Sequence, residues 1–142
     1  MVASGDEWGA VGAEPIAGSF KILLVDDSPF VRNQVKEILS GQPVVLLEAG
    51  DGVEALDIVA KHTDIKLILC DINMPRMDGL AFIERLGANE PNKKPRMPIV
   101  MLTTENKLDM VMKGKKLGAS AWIIKPPAPR DIMMLVEKFK TT

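Results

Sequence analysis

Five short apolar runs punctuate this chain: residues 21–25 (KILLV), 44–48 (VVLLE), 66–70 (KLILC), 99–102 (IVML) and 121–124 (AWII). Runs of this length without polar alternation suit strands covered on both faces, as in a parallel sheet. Stretches of helical spacing separate them. Ser28 and Pro29 form a helix start, and Phe30, Val31, Val35, Ile38 and Leu39 then recur at helical intervals until Gly41. Asp51 and Gly52 turn the chain into Val53, Ala55, Leu56, Ile58 and Val59, and Asn73, Pro75, Asp78 and Gly79 break it before a helix over 80–86. Residues 106–117 read as a polar, methionine-bearing helix closed by Gly118, and 131–140 as a last amphipathic helix. Five strands alternating with five helices predict an α/β, doubly wound parallel sheet with helices on both faces.

The chain has 142 residues, 46% hydrophobic and 26% charged, which suits one globular domain with its own core. Residues 1–19 are rich in Gly, Ala and acids, lack either periodicity, and are expected to form a flexible N-terminal tail in which Trp8 and Ile16 are the only candidate anchors. The domain is expected over 20–142, with a proline-rich loop at 87–98. The absence of a long apolar run or a basic leader leads to the expectation of a cytoplasmic protein that does not enter membranes. A net charge of -1 gives no bulk attraction to nucleic acid or anionic lipid. Cys70, alone and inside an apolar strand, reads as a small core residue.

In an open parallel sheet, the reactive crevice lies beyond the carboxyl ends of the strands. Asp26 and Asp27 leave the first strand, Asp71 the third, Thr103 the fourth and Lys125 the fifth. Three carboxylates gathered there would raise one another's pKa unless a cation neutralised them, and oxygen donors favour a hard one such as Mg2+. Positioning and charge neutralisation are most of what phosphoryl transfer requires. Asp71 is the expected nucleophile, with Lys125 and the Thr103 hydroxyl covering phosphoryl oxygens. Taken singly, each has a bland reading: adjacent acids as a solvated turn, Lys125 as a surface lysine, Thr103 as a strand-end hydroxyl. Their common edge favours function.

VDDS at 25–28, CDINMPRMDG at 70–79, LTTE at 102–105 and IIKPP at 123–127 resemble the receiver signature of two-component response regulators, in order and each after a predicted strand. The resemblance runs over about 21–140, and the segments 98–105 and 118–126 are similar to stand-alone chemotaxis regulators of the CheY-like type. It implies a flavodoxin-like (βα)5 fold with strand order 2-1-3-4-5. It further implies Asp71 as phosphoacceptor, Asp26, Asp27, Asp71 and the Asn73 main-chain carbonyl as ligands of Mg2+, with Mn2+ as a substitute, and a cis Lys125-Pro126 peptide. Thr103 and Trp122 would be the switch pair, and Asn73 and Glu105 would set the lifetime of the acyl phosphate. Trp122 stands where the family usually has Tyr or Phe, and Pro127 where Phe is common. A histidine kinase would donate the phosphoryl group, and the face of the fourth helix, fifth strand and fifth helix would bind a target such as a flagellar motor switch component or a phosphatase. The chain would act as a monomer or a phosphorylation-dependent dimer, and would catalyse only its own phosphorylation and dephosphorylation.

Three other readings stand beside this one. An aspartate-nucleophile phosphohydrolase would use similar chemistry, but generally carries a second acid two residues after the nucleophile, where this chain has Asn73. The others are a receiver excised from a larger regulator and a receiver-fold binding module independent of phosphate. His62 reads as a solvated helix residue, the nine methionines as core filler, and Lys107, Lys113, Lys115 and Lys116 as a solvated face, with a dock for an acidic partner as the alternative.

Overall fold

In the computed structural model, each apolar run is a strand and each periodic stretch a helix, in the order β1 (Phe20–Val25), α1 (Pro29–Ile38), β2 (Val44–Ala49), α2 (Gly52–Lys61), β3 (Ile65–Cys70), α3 (Gly79–Gly87), β4 (Ile99–Thr103), α4 (Leu108–Leu117), β5 (Ala121–Ile124) and α5 (Pro129–Lys140). The structure describes residues 20–87 and 97–140. The tail expected over 1–19, most of the loop at 87–98, and Thr141 and Thr142 lie outside them.

All strand pairs are parallel and the sheet order is β2-β1-β3-β4-β5. Side chains alternate between the two faces along each strand. Leu23, Val25, Ile68, Cys70, Ile99 and Met101 pack on one face with Ala55, Leu80, Phe82 and Ile83 from α2 and α3. Ile22, Leu24, Leu67, Leu69, Val100 and Leu102 pack on the other with Val31, Val35 and Leu39 from the α1 segment and Ile132 and Val136 from α5. Each fully buried aliphatic side chain contributes about 1.5–3 kcal/mol, so these two layers dominate the stability. Cys70 lies in the first layer, fully buried.

Local chemistry fixes the helix starts. Ser28 caps α1 by accepting from the Val31 N–H, with Pro29 at the first helical position. Asp51, expected only as part of a turn, caps α2 by accepting from the Glu54 N–H at 2.9 Å. Two helix starts differ from expectation by two residues. Helix α4 starts at Leu108 rather than 106, because the backbone of Lys107 is extended, at φ -67° and ψ 135°, and so stands outside the first turn. Helix α5 starts at Pro129 rather than 131, with the missing proline N–H again placed where a helix has no use for it. Gly118 ends α4 in the left-handed region, at φ 116°.

Candidate functional site

Parallel strands deliver their last residues to one edge, and the expected side chains meet there. Oxygens from Asp26, Asp27 and Asp71 lie within 4.8 Å of one another, with Asp26 and Asp71 buried and Asp27 exposed. Lys125, directly after β5, joins them: its Nζ lies 2.6 Å from Asp26 Oδ2 and donates to Asp71 Oδ2 at 2.9 Å. The expected repulsion among three acids is therefore partly relieved by the protein itself.

Asp71 is held rigidly. Its N–H donates to the Val25 carbonyl at 2.9 Å, and its Oδ1 accepts from the Ile72 N–H at 2.7 Å. Asp26 Oδ1 accepts from the Ser28 N–H at 2.8 Å. Its Oδ2 is buried without a hydrogen-bond partner, since the close Lys125 ammonium makes an ion pair but lies off the direction of a hydrogen bond. Burial pushes the Asp26 carboxyl above the ordinary carboxylate range, against the opposing pull of Lys125 and Ser28, and the Asp71 charge adds to the rise. Burial alone would lower the Lys125 ammonium, but its hydrogen bond to Asp71 and the close negative charges of Asp26 and Asp71 outweigh it, so its pKa is raised and the ammonium stays charged. Burial likewise pushes the Cys70 thiol well up, so it stays protonated.

Thr103 ends β4 fully buried. Its Oγ1 accepts from the Glu105 N–H at 3.2 Å, and its carbonyl accepts from the Lys125 N–H at 3.0 Å. Trp122 Nε1 donates to the Glu105 carbonyl at 2.8 Å. One short segment thus links the Thr103 hydroxyl to the indole. A Cβ on Gly114 of α4 would lie 2.7 Å from Trp122 Cζ3, so the large aromatic is accommodated by a helix residue without a side chain. The Lys125-Pro126 peptide is cis. Pro127, in the place of the common Phe, is buried. Asn73 is exposed on the loop between β3 and α3. His62 follows α2, which returns to the other end of the sheet, and plays no part in the cluster.

A set of three carboxylates, one with an orphaned buried oxygen, fits a hard divalent cation and gives no soft donor that would prefer another.

Several supporting residues were not expected. Arg32 Nη1 donates to the Asp26 carbonyl at 2.5 Å and its Nε to Glu48 Oε1 at 3.1 Å, while Lys36 Nζ pairs with Glu48 Oε2 at 2.9 Å. Glu48 comes from β2, so nothing local in the sequence signals the link. Gly79 was read only as a chain break, yet a Cβ there would lie 2.0 Å from the Asp71 carbonyl oxygen. The close return of α3 onto the loop bearing Asp71 requires glycine.

Residues 22–137 match the family described as response regulator receiver domain. The chain is 40% identical over 119 residues to a Campylobacter jejuni protein named as a chemotaxis protein CheY homolog, covering 82% of this chain and 89% of that one. Its fold is similar to Vibrio cholerae CheY4, with a TM-score of 0.75 at 33% identity over 85% of this chain and 98% of that one. It is also similar to a Borrelia burgdorferi CheX-CheY-BeF3-Mg2+ complex, with a TM-score of 0.74 at 27% identity over 84% and 89% of the two chains.

Proposed function

Because the chain belongs to the response regulator receiver family, in its CheY-like form, we propose that it is a phosphorylation-activated switch that accepts a phosphoryl group on Asp71. The observation that carries this reading is the Lys125 ammonium set between Asp26 and Asp71, with Asp27 beside them. Asp26, Asp27, Asp71 and the Asn73 carbonyl would hold magnesium, which when bound supplies neutralisation of phosphoryl oxygen charge. The relative from Borrelia, whose complex carries both BeF3 and Mg2+, supports that assignment.

A carboxylate oxygen of Asp71 forms the new bond to phosphorus as the bond from phosphorus to the donor, a phosphohistidine of a histidine kinase, breaks. Lys125 already sits on Asp71 Oδ2, and its ammonium neutralises charge on the incoming group without moving far. Thr103 uses a lone pair on the Glu105 N–H, which leaves its hydroxyl proton to donate to a phosphoryl oxygen. Movement of Thr103 toward that oxygen pulls the segment whose Glu105 carbonyl holds Trp122. Phosphate shifts the population because it bonds Thr103 in one state and not in the other.

The face of α4, β5 and α5 is the proposed output surface. It exposes Leu108, Met112, Ile124 and Met134, with the exposed Lys107, Lys113, Lys115 and Lys116 on and beside α4. Such a surface suits a partner with apolar anchors and acidic surroundings. No helix among the described residues is long and apolar enough to cross a membrane, and we place the switch in the cytoplasm. Asn73 and Glu105 set the lifetime of the acyl phosphate by orienting an attacking water.

The test uses a Trp8→Phe background, so that Trp122 is the sole reporter, with magnesium and then acetyl phosphate added. Expected are a magnesium-dependent fluorescence change and a mass gain of one phosphoryl group, both lost in Asp71→Asn. Absence of both in the unsubstituted Asp71 protein would leave a phosphate-independent binding module.

A further inference from the structure

The loop between β3 and α3 carries a strained turn at Arg76. Its φ is 63°, in the left-handed region that favours glycine or asparagine. The Met77 N–H donates to the Pro75 carbonyl at 2.6 Å around it, an i to i+2 bond across a positive-φ residue, the hallmark of the rare strained γ-turn. Strain of this kind persists only where the surroundings over-determine it. The surroundings here are the start of α2. Arg76 Nε donates to Asp51 Oδ2 at 2.8 Å, the Gly52 N–H donates to the Met77 carbonyl at 3.0 Å, and Met77 covers Gly52 so closely that a Cβ there would lie 2.6 Å from Met77 Cγ. The loop's far end is tied separately, by the Gly79 N–H to the Ile72 carbonyl at 2.8 Å. Between these two fastenings lies Asn73.

We propose that Arg76 is a positioning residue for the cation site, clamping the loop to the capping residue of α2 and so holding the Asn73 carbonyl in place beside Asp26, Asp27 and Asp71. The inference rests on the cation-assisted reading above. The Arg76 side chain is largely exposed, so its pair with Asp51 adds little to folding. Its effect is on where the loop sits rather than on whether the chain folds. Asp51 serves two groups at once, with Oδ1 on the Glu54 N–H and Oδ2 on Arg76, which joins the helix start and the loop through one carboxylate.

The experiment is calorimetric titration of the full chain with magnesium, alongside its melting temperature without metal, for the unsubstituted protein, Arg76→Gly, Arg76→Lys, Asp51→Asn and Asp27→Asn. Arg76→Gly accepts the positive φ without strain but loses the guanidinium, so its melting temperature should hold or rise while magnesium affinity falls on the order of 3- to 5-fold, the scale of one exposed ion pair. Asp51→Asn keeps a good helix cap and should show the same loss, and Arg76→Lys should recover part of it. Unchanged affinity in Arg76→Gly and Asp51→Asn overturns the proposal, as does a parallel fall in melting temperature, which would make the clamp a fold element only. Tight binding by the unsubstituted protein that vanishes in Asp27→Asn shows that the cation reading stands even if the clamp does not; no binding by the unsubstituted protein sinks both.

Discussion

Replacing Asp26 by Asn should make the protein more stable in metal-free buffer at neutral pH and nearly blind to magnesium. Asp26 is 1% exposed, and its Oδ2 has no hydrogen bond. Its folded pKa is raised, chiefly by burial, so between the unfolded and folded values the folded state binds more protons and stability falls as pH rises. Above the folded pKa the cost is fully present; it fades as pH drops through that value. An unsatisfied buried charged oxygen costs about 1–3 kcal/mol or more, and losing the attraction to Lys125 gives part of that back. The net gain for Asp26→Asn is about 1 kcal/mol, or roughly 3–5 °C in melting temperature for a domain of this size. Magnesium reverses the order, since a ligand at a hundredfold excess over its Kd adds about 2.7 kcal/mol to a protein that binds it. Urea unfolding followed by circular dichroism, with chelator and then with magnesium, should show the two stabilities cross, and the metal-free gap should close toward pH 4 (roughly the ordinary carboxylate pKa). A variant less stable than the parent without metal would mean that the Lys125 pair outweighs burial, and the reasoning would be wrong.

Gly79→Ala should cost about 3 kcal/mol or more in urea unfolding, because its Cβ meets the Asp71 carbonyl oxygen at 2.0 Å, and backbone cannot rotate away. Gly41→Ala, at φ 84° but with nothing within 4 Å, should cost only about 1 kcal/mol from its backbone conformation. Gly114→Ala should displace the Trp122 indole from the Glu105 carbonyl, changing its emission, while stability moves by less than about 1 kcal/mol because the gain in helix propensity offsets the lost hydrogen bond. The Cys70 thiol should resist an aromatic disulfide reagent in the native protein and react at once in denaturant, since it is buried and its pKa is raised.

The fold was legible because each apolar run must be covered on both faces, and the periodic helices that alternate with the runs supply that cover in a wound parallel sheet. Asp26, Asp27, Asp71 and Lys125 were legible for a related reason: each follows directly on a run, and parallel strands bring such residues to one edge. The start of α4 was not, because it depends on the extended backbone of Lys107, which periodicity does not signal. Arg32 and Glu48 escaped notice because their contact joins a helix to the next strand across 16 positions, beyond the reach of any local pattern. Gly114 escaped for another reason: in a helix it reads as a weak former, and its use appears only when Trp122 is seen against it.

The residues that break local rules cluster at one edge. Asp26 is a buried acid with an orphaned oxygen, Lys125 a largely buried cation, Arg76 a non-glycine residue at positive φ, and Gly79 a helix-starting glycine pressed on a carbonyl. Each departs from what its local setting would ordinarily hold, and each neighbours Asp71 in the fold or in the chain. The core layers under them obey every rule, with strand residues alternating between two faces and helices capped by Ser28 and Asp51. A consistent scaffold can carry a few inconsistent sites, and natural sequences keep such sites where function requires them. In this chain the unfavourable terms at the edge are mostly electrostatic, so a cation and a phosphoryl group can change them. The aliphatic core offers neither ligand a charge to act on, so under the proposed function a change of ligand acts on the edge and not on the layers beneath it.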